Sequence, residues 1–138
     1  MNPPIAFPSD DGLLITFPKG LLGFPQVTAY RLYEPHDGYP LKFLQAVEDP
    51  EVLFTCINPA VVKPDYNVPL SDEEAQALGL ESPEDALILT LVVVPEDPRQ
   101  MTTNLAGPLV VNGKTRIGYQ IVFSSEKFPL RFPILPQG

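Results

Sequence analysis

The side chains able to do chemistry are few in kind: one histidine, one cysteine and 17 carboxylates. His36 stands in Glu34-Pro35-His36-Asp37-Gly38, a turn-like run. A catalytic triad or a metal centre needs convergent partners, and there is no second histidine. A surface turn residue is the expectation. Cys56 lies inside an apolar run, where a thiol is buried and inert unless cations surround it. A single cysteine also excludes an internal disulfide and a cysteine-based zinc site. Ser124-Ser125 has no nucleophile-elbow context, and neither a phosphate-cradling nor a dinucleotide-binding glycine motif is present. The carboxylates fall in adjacent pairs within turns, as in Glu48-Asp49 and Glu96-Asp97. Glycoside hydrolysis needs two carboxyls facing each other across a cleft, and calcium loops need a spaced Asp/Asn-Gly pattern. The pairs fit neither. No enzyme, no cofactor and no metal site are expected.

The elements that must position these groups are strands. Prolines number 18 in 138 residues, well above the ~5% average, and they are spread along the whole chain. Proline removes a backbone donor and breaks helices and central strands. Short strands between proline-containing turns remain: Leu13 to Phe17, Val27 to Glu34, Leu41 to Val47, Val52 to Ile57, Ala86 to Val94, Met101 to Leu105, Leu109 to Val111 and Arg116 to Phe123. Asn112-Gly113 is a strong hairpin dipeptide. In the second run Tyr30, Leu32 and Glu34 share one face. One helix is signalled. Ser71-Asp72-Glu73-Glu74 is a capping box and Gly79 a stop, which predicts a short helix near residues 71–79. Ser82-Pro83-Glu84-Asp85 repeats the start signal and predicts a single turn. The fold class is all-β: one small β-barrel-like domain of short antiparallel strands over residues 1–138, with a poorly ordered tail at 128–138.

Charge is unevenly placed. The net charge is −8. From Pro64 to Pro98 there are nine acids and no Lys or Arg, while the rest of the chain is nearly balanced. Direct nucleic-acid binding is disfavoured, because neutralising phosphates needs clustered bases. A basic protein partner is favoured, and the bland alternative is that the acidic excess merely keeps the protein soluble. The turns Val47-Glu48-Asp49-Pro50 and Pro95-Glu96-Asp97-Pro98 echo each other and would present paired carboxylates on one rim. Tyr66, between Asp65 and Asn67, could anchor a partner or cover the edge of the barrel. No apolar run approaches the roughly 18 residues that span a bilayer. Met1-Asn2-Pro3-Pro4 has neither the basic nor the apolar part of a secretory signal, so a cytoplasmic location and no membrane contact are expected.

Taken in order, these turns resemble the FliW family of flagellar assembly factors. The resemblance lies in Thr16-Phe17-Pro18-Lys19-Gly20-Leu21-Leu22-Gly23-Phe24, in Leu44-Gln45-Ala46-Val47-Glu48-Asp49-Pro50, in Asn58-Pro59 with Pro64-Asp65-Tyr66, and in Val94-Pro95-Glu96-Asp97-Pro98 with Met101-Thr102 and Asn104 to Asn112. It covers about residues 13–123. Lys19 stands where the family commonly has an acid, and Leu22 where it has a proline. What the resemblance implies is a protein without enzymatic activity. Such proteins bind CsrA, a small basic RNA-binding dimer, and relieve its repression of flagellin translation. They also bind flagellin, which links flagellin level to its own translation. On this reading the partner contacts are Glu48, Asp49, Asp65, Tyr66, Glu96, Asp97, Met101 and Asn104. The acids and Asn104 would steer and hydrogen-bond; Tyr66 and Met101 would anchor. One alternative is a flagellin chaperone that does not bind CsrA, with an apolar groove for a helical terminus. Another is a carbohydrate-binding or carboxylate-based enzyme with opposed carboxyls.

Overall fold

The computed structural model describes residues 12–35, 40–124 and 126–135. His36 and the last tail residues, 136–138, lie outside the described residues. Strands β1 (Leu13–Thr16), β2 (Ala29–Tyr33), β3 (Leu41–Ala46), β4 (Leu53–Ile57) and β5 (Ala86–Val93) pair in sequence order, each antiparallel to the last. The period-2 pattern read from the sequence is visible in β2, where Tyr30 and Leu32 are buried and Ala29, Arg31 and Tyr33 are not.

β5 is the longest strand and serves two neighbours along one edge. Its first half, Ala86 to Leu89, pairs with β7 (Leu109–Asn112). Its end, Val92 and Val93, pairs with β6 (Thr102–Thr103). Between β6 and β7 the segment 104–108 leaves the ladder. β7 then pairs with β8 (Gly118–Gln120), and β6 pairs with β9 (Phe132–Pro133). β9 was not anticipated. It comes from within the tail, and its proline is tolerated because β9 is at the edge of the sheet.

The expected all-β class of short antiparallel strands with one short helix is what the structure has, but the sheet curls without closing into a barrel. β1 ends at Thr16 and β8 begins at Gly118, so the two meet only at their tips. Thr16 N–H donates to Arg116 O at 2.9 Å, and Thr16 and Ile117 form one isolated parallel bridge. A single bridge is not a ladder.

β7 shows why the fold needs both sides of this sheet. All four of its residues are buried. Leu109 and Val111 point into the main core with Ile15, Phe17, Tyr30, Leu44, Cys56 and Leu89. Val110 points the other way, into a smaller cluster with Leu78 and Ile121. Each such side chain contributes about 1.5–3 kcal/mol by leaving water. The second cluster is roofed by α1 (Asp72–Leu78). Its capping box is complete: Glu74 N–H donates to Ser71 Oγ at 3.0 Å, and Ser71 N–H donates to Glu74 Oε1 at 2.9 Å. Gly79 ends the helix in the left-handed conformation, at φ 67°. A 3-10 turn at Pro83–Asp85 leads into β5.

Cys56 is fully buried, and desolvation pushes its thiol up to about 12 against the opposing pull of Lys42. It is an inert core residue. Tyr30 is also in the main core, edge-on to Phe17 with ring centroids 5.8 Å apart. Its hydroxyl is buried and has no hydrogen-bond partner among the described residues. A buried unsatisfied hydroxyl costs free energy, so Tyr30→Phe is expected to stabilise the protein by about 1 kcal/mol. Urea denaturation checks this. A loss of stability would mean that the hydroxyl is satisfied in solution.

Candidate functional site

Strand register decides which loops meet. Thr16 at the end of β1 lies opposite Ala29 at the start of β2. Tyr30 lies opposite Ala46 at the end of β3. Gln45 lies opposite Leu53 at the start of β4, and Thr55 opposite Val92 near the end of β5. Three connections therefore share one end of the sheet: residues 17–28, 47–52 and 94–101. Backbone bonds extend the ladder into the second of them: Val47 N–H donates to Ala29 O at the start of β2 at 3.0 Å, and Ala46 N–H to Val52 O across the base of the β3–β4 turn at 2.9 Å. The two Glu-Asp-Pro turns stand on one rim.

Five of the eight partner-contact candidates, Glu48, Asp49, Glu96, Asp97 and Met101, lie at this rim. Glu48, Asp49 and Glu96 are exposed. Asp97 is differently placed. It caps the 3-10 turn Pro98–Gln100, accepting from Arg99 N–H at 3.0 Å, and it pairs with the Arg99 guanidinium at 3.1 Å. The hydrogen bonds from Arg99 hold its carboxyl below the ordinary aspartate range, and the same cation offsets its charge. Met101 is half-buried and closes that turn, its N–H donating to Pro98 O at 3.2 Å. Its carbonyl accepts from Ile134 N–H at 3.1 Å, which ties the tail to the rim.

The other three candidates are elsewhere. β4 runs away from the rim, so Asn58 and the 3-10 turn Pro59–Val61 start at its far end, roughly 13 Å off at ~3.3 Å per residue. Asp65 and Tyr66 follow that turn. Asp65 pairs with Lys63 at 3.0 Å, and this hydrogen bond lowers its pKa. Tyr66 is half-buried; its hydroxyl donates to Leu105 O at 2.6 Å and its ring meets Phe128 edge-on at 5.5 Å. Burial pushes the phenol up to about 12. Tyr66 therefore fastens the segment after β4 to the bend after β6. Asn104 builds that bend: its Oδ1 accepts from Ala106 N–H at 2.9 Å.

What sequence reasoning missed at the rim is its apolar component. Leu22 is 73% exposed, Val93 64% and Val94 53%, with Phe24, Val47 and Leu53 also exposed. Phe24 rests edge-on against Phe54 at 5.5 Å. Leu22 and Phe24 belong to the glycine-rich motif after β1, whose pattern identified a family but not which side chains face outward. The rim thus alternates carboxylates with exposed apolar groups, a composition suited to docking a basic, partly apolar protein surface. Among the described residues no group of three or more metal-ligating side chains gathers, and no helix is long and apolar enough to cross a membrane.

Comparison with known proteins gives one consistent answer. The family described as FliW protein matches residues 6–134. The flagellar assembly factor FliW of Natranaerobius thermophilus is 39% identical over 122 residues, covering 88% of this chain and 81% of that protein. The FliW of Leptospira biflexa is 36% identical over 127 residues, covering 91% and 83%. A crystal structure of a flagellar assembly factor FliW superposes with a TM-score of 0.86 at 22% identity, over 99% of this chain and 97% of that one, which supports the shared fold. With a family model spanning residues 6–134 and relatives matched over most of their length, this chain belongs to the FliW family of flagellar assembly factors.

Proposed function

We propose that this protein acts in the cytoplasm as a protein-binding antagonist of a CsrA-type translational regulator, and that it also binds flagellin, so that flagellin level sets how much of it is available to the regulator. The observation that carries the reading is the rim, where Glu48, Asp49 and Glu96 stand exposed beside Leu22, Val93 and Val94. A basic RNA-binding dimer would be steered to such a surface. Once docked, the carboxylates would raise the local negative potential and disfavour RNA phosphates.

The test is calorimetric titration of the cognate CsrA dimer at low and moderate salt. Wild type is expected to bind, and binding to weaken as salt rises. The double substitution Glu48→Lys with Glu96→Lys is expected to weaken binding about tenfold and flatten the salt dependence, since rim charges act mainly on association. Unchanged affinity and unchanged salt response in a folded double variant would sink the regulator reading. The exposed apolar side chains favour one second reading, a flagellin chaperone without regulator binding. It predicts no heat with CsrA at either salt and saturable binding of flagellin.

A further inference from the structure

A second concave surface lies away from the rim, under α1. It encloses about 440 Å³ between the 3-10 turn at Pro59–Val61, the segment 66–70, α1 and the start of β5. Its walls are mainly apolar: Pro59, Val68, Leu70, Ala75, Leu80 and Ile88. Three of the polar side chains there are already engaged. Asn58 Oδ1 accepts from Ala60 N–H at 3.0 Å, the Tyr66 hydroxyl donates to Leu105 O, and Ser82 Oγ donates to Glu84 Oε2 at 2.9 Å. A small polar metabolite would find few groups to orient it. A volume of this size suits about two or three large apolar side chains.

The surroundings are acidic. Apart from the 3-10 turn, the walls come from the stretch that holds nine acids and no Lys or Arg. Glu81 is itself part of the lining, and Asp72 and Glu73 lie on α1. Among the described residues, none of these three is in an ion pair with a Lys or Arg. The lysines of the adjoining segments are spent, Lys63 on Asp65 and Lys114 on Asp85 at 3.7 Å. An apolar cavity in a setting of net negative charge selects apolar anchors carried among cations.

We propose that this cavity docks a basic amphipathic helix of a partner protein, its apolar row seated between Leu70, Ala75 and Ile88 and its Lys or Arg residues facing Glu81 and the acids of α1. Spacing of i, i+3 and i+4 brings two or three anchors onto one helix face, matching the volume. The site is independent of the rim. Ile88 is five residues along β5 from Val93, roughly 16 Å at ~3.3 Å per residue, so the two surfaces can be occupied together.

The experiment uses the full chain and two fluorescently labelled synthetic helices. One carries Leu at i, i+3, i+4 and i+7 with Lys elsewhere; the other has Glu in place of every Lys. Fluorescence anisotropy is expected to show saturable binding of the Lys peptide and at least tenfold weaker binding of the Glu peptide. Hydrogen exchange is expected to slow at residues 66–70 and 75–81. Ala75→Phe fills the cavity and is expected to weaken the Lys peptide at least fivefold; Glu81→Lys, at an exposed position, should do the same without disturbing the fold. Circular dichroism confirms that each variant is folded, and Glu81→Lys decides if Ala75→Phe is not. Absent binding, equal binding of both peptides, or protection at 47–52 and 94–101 instead would overturn the proposal. Glu48→Lys with Glu96→Lys should leave the Lys peptide's affinity unchanged, which separates failure here from failure of the regulator reading.

Discussion

Asn112→Ala is expected to cost about 3 kcal/mol of folding stability, because one buried amide holds the helix to the sheet. Asn112 ends β7 and is 2% exposed. Its Nδ2 donates to Leu78 O at 2.8 Å and to Gly79 O at 3.2 Å, the carbonyls at the C-terminus of α1. Its Oδ1 accepts from Lys114 N–H at 2.8 Å and from Thr115 N–H at 3.3 Å, which shapes the turn into β8. Truncation leaves the Leu78 carbonyl without a partner where water reaches poorly, and strips the part-buried Gly79 carbonyl and the two turn donors of theirs. A single net hydrogen bond is worth about 1 kcal/mol, and a buried orphan costs about 1–3 kcal/mol, so the two carbonyl contacts dominate. Asn112→Asp has the same shape and keeps the two acceptor contacts, yet it replaces the donor with an anion facing two carbonyls. It is expected to be at least as damaging at neutral pH. Folding would raise that carboxyl's pKa, so the deficit should shrink as pH falls through the raised value, and its ionic part should be gone once pH is below the ordinary aspartate range. Urea denaturation at neutral and acid pH measures both. A loss below about 1 kcal/mol for Asn112→Ala would mean that α1 does not depend on this amide.

That residue marks where the sequence stopped being readable. Asn112-Gly113 was legible as a turn because a turn is local chemistry. Its partner Leu78 is 34 positions away, and no local pattern announces it. Tyr66 is the same case: its loop setting left an anchor and an edge cover both open, whereas its hydroxyl reaches Leu105 across 39 positions. By contrast α1 was legible to within a residue at each end, since Ser71, Glu74 and Gly79 act on backbone groups within one turn. The shared rim was half legible. Echoing turns suggested it, but only the antiparallel register of five consecutive strands puts residues 47–52 and 94–101 at one end. Two-residue strands carry almost no periodicity, so β9 gave no signal. The all-β class was legible, but the degree of closure was not, because closure depends on how far two distant edges overlap, and here they meet at one bridge.

The rim also contains the substitution with the largest expected effect, Gly20→Ala, at about 4 kcal/mol. Gly20 is buried with φ 67°, and its N–H donates to Phe17 O at 2.8 Å. The left-handed conformation alone costs a non-glycine residue about 1–2 kcal/mol. Space supplies the rest. A Cβ there would collide with Phe24 O and stand 2.6 Å from the Pro25 backbone, and backbone atoms cannot rotate aside as a side chain can. The loop would have to open, breaking the Leu21–Phe24 bridge. Gly23 three residues on is a control for strain without clash: its φ is 88°, but a Cβ there meets nothing within 4 Å. Gly23→Ala should therefore cost only about 1–2 kcal/mol. Denaturant midpoints of the two variants measure the difference, expected at about 2 kcal/mol or more. If the two fall together, the loop yields to the methyl group and its shape is not fixed by Gly20. If they separate as expected, the loop that presents Leu22 and Phe24 is held by close backbone packing at Gly20. On the proposed reading, regulator binding should then fall in Gly20→Ala while surviving in Gly23→Ala, although neither substitution alters a rim charge.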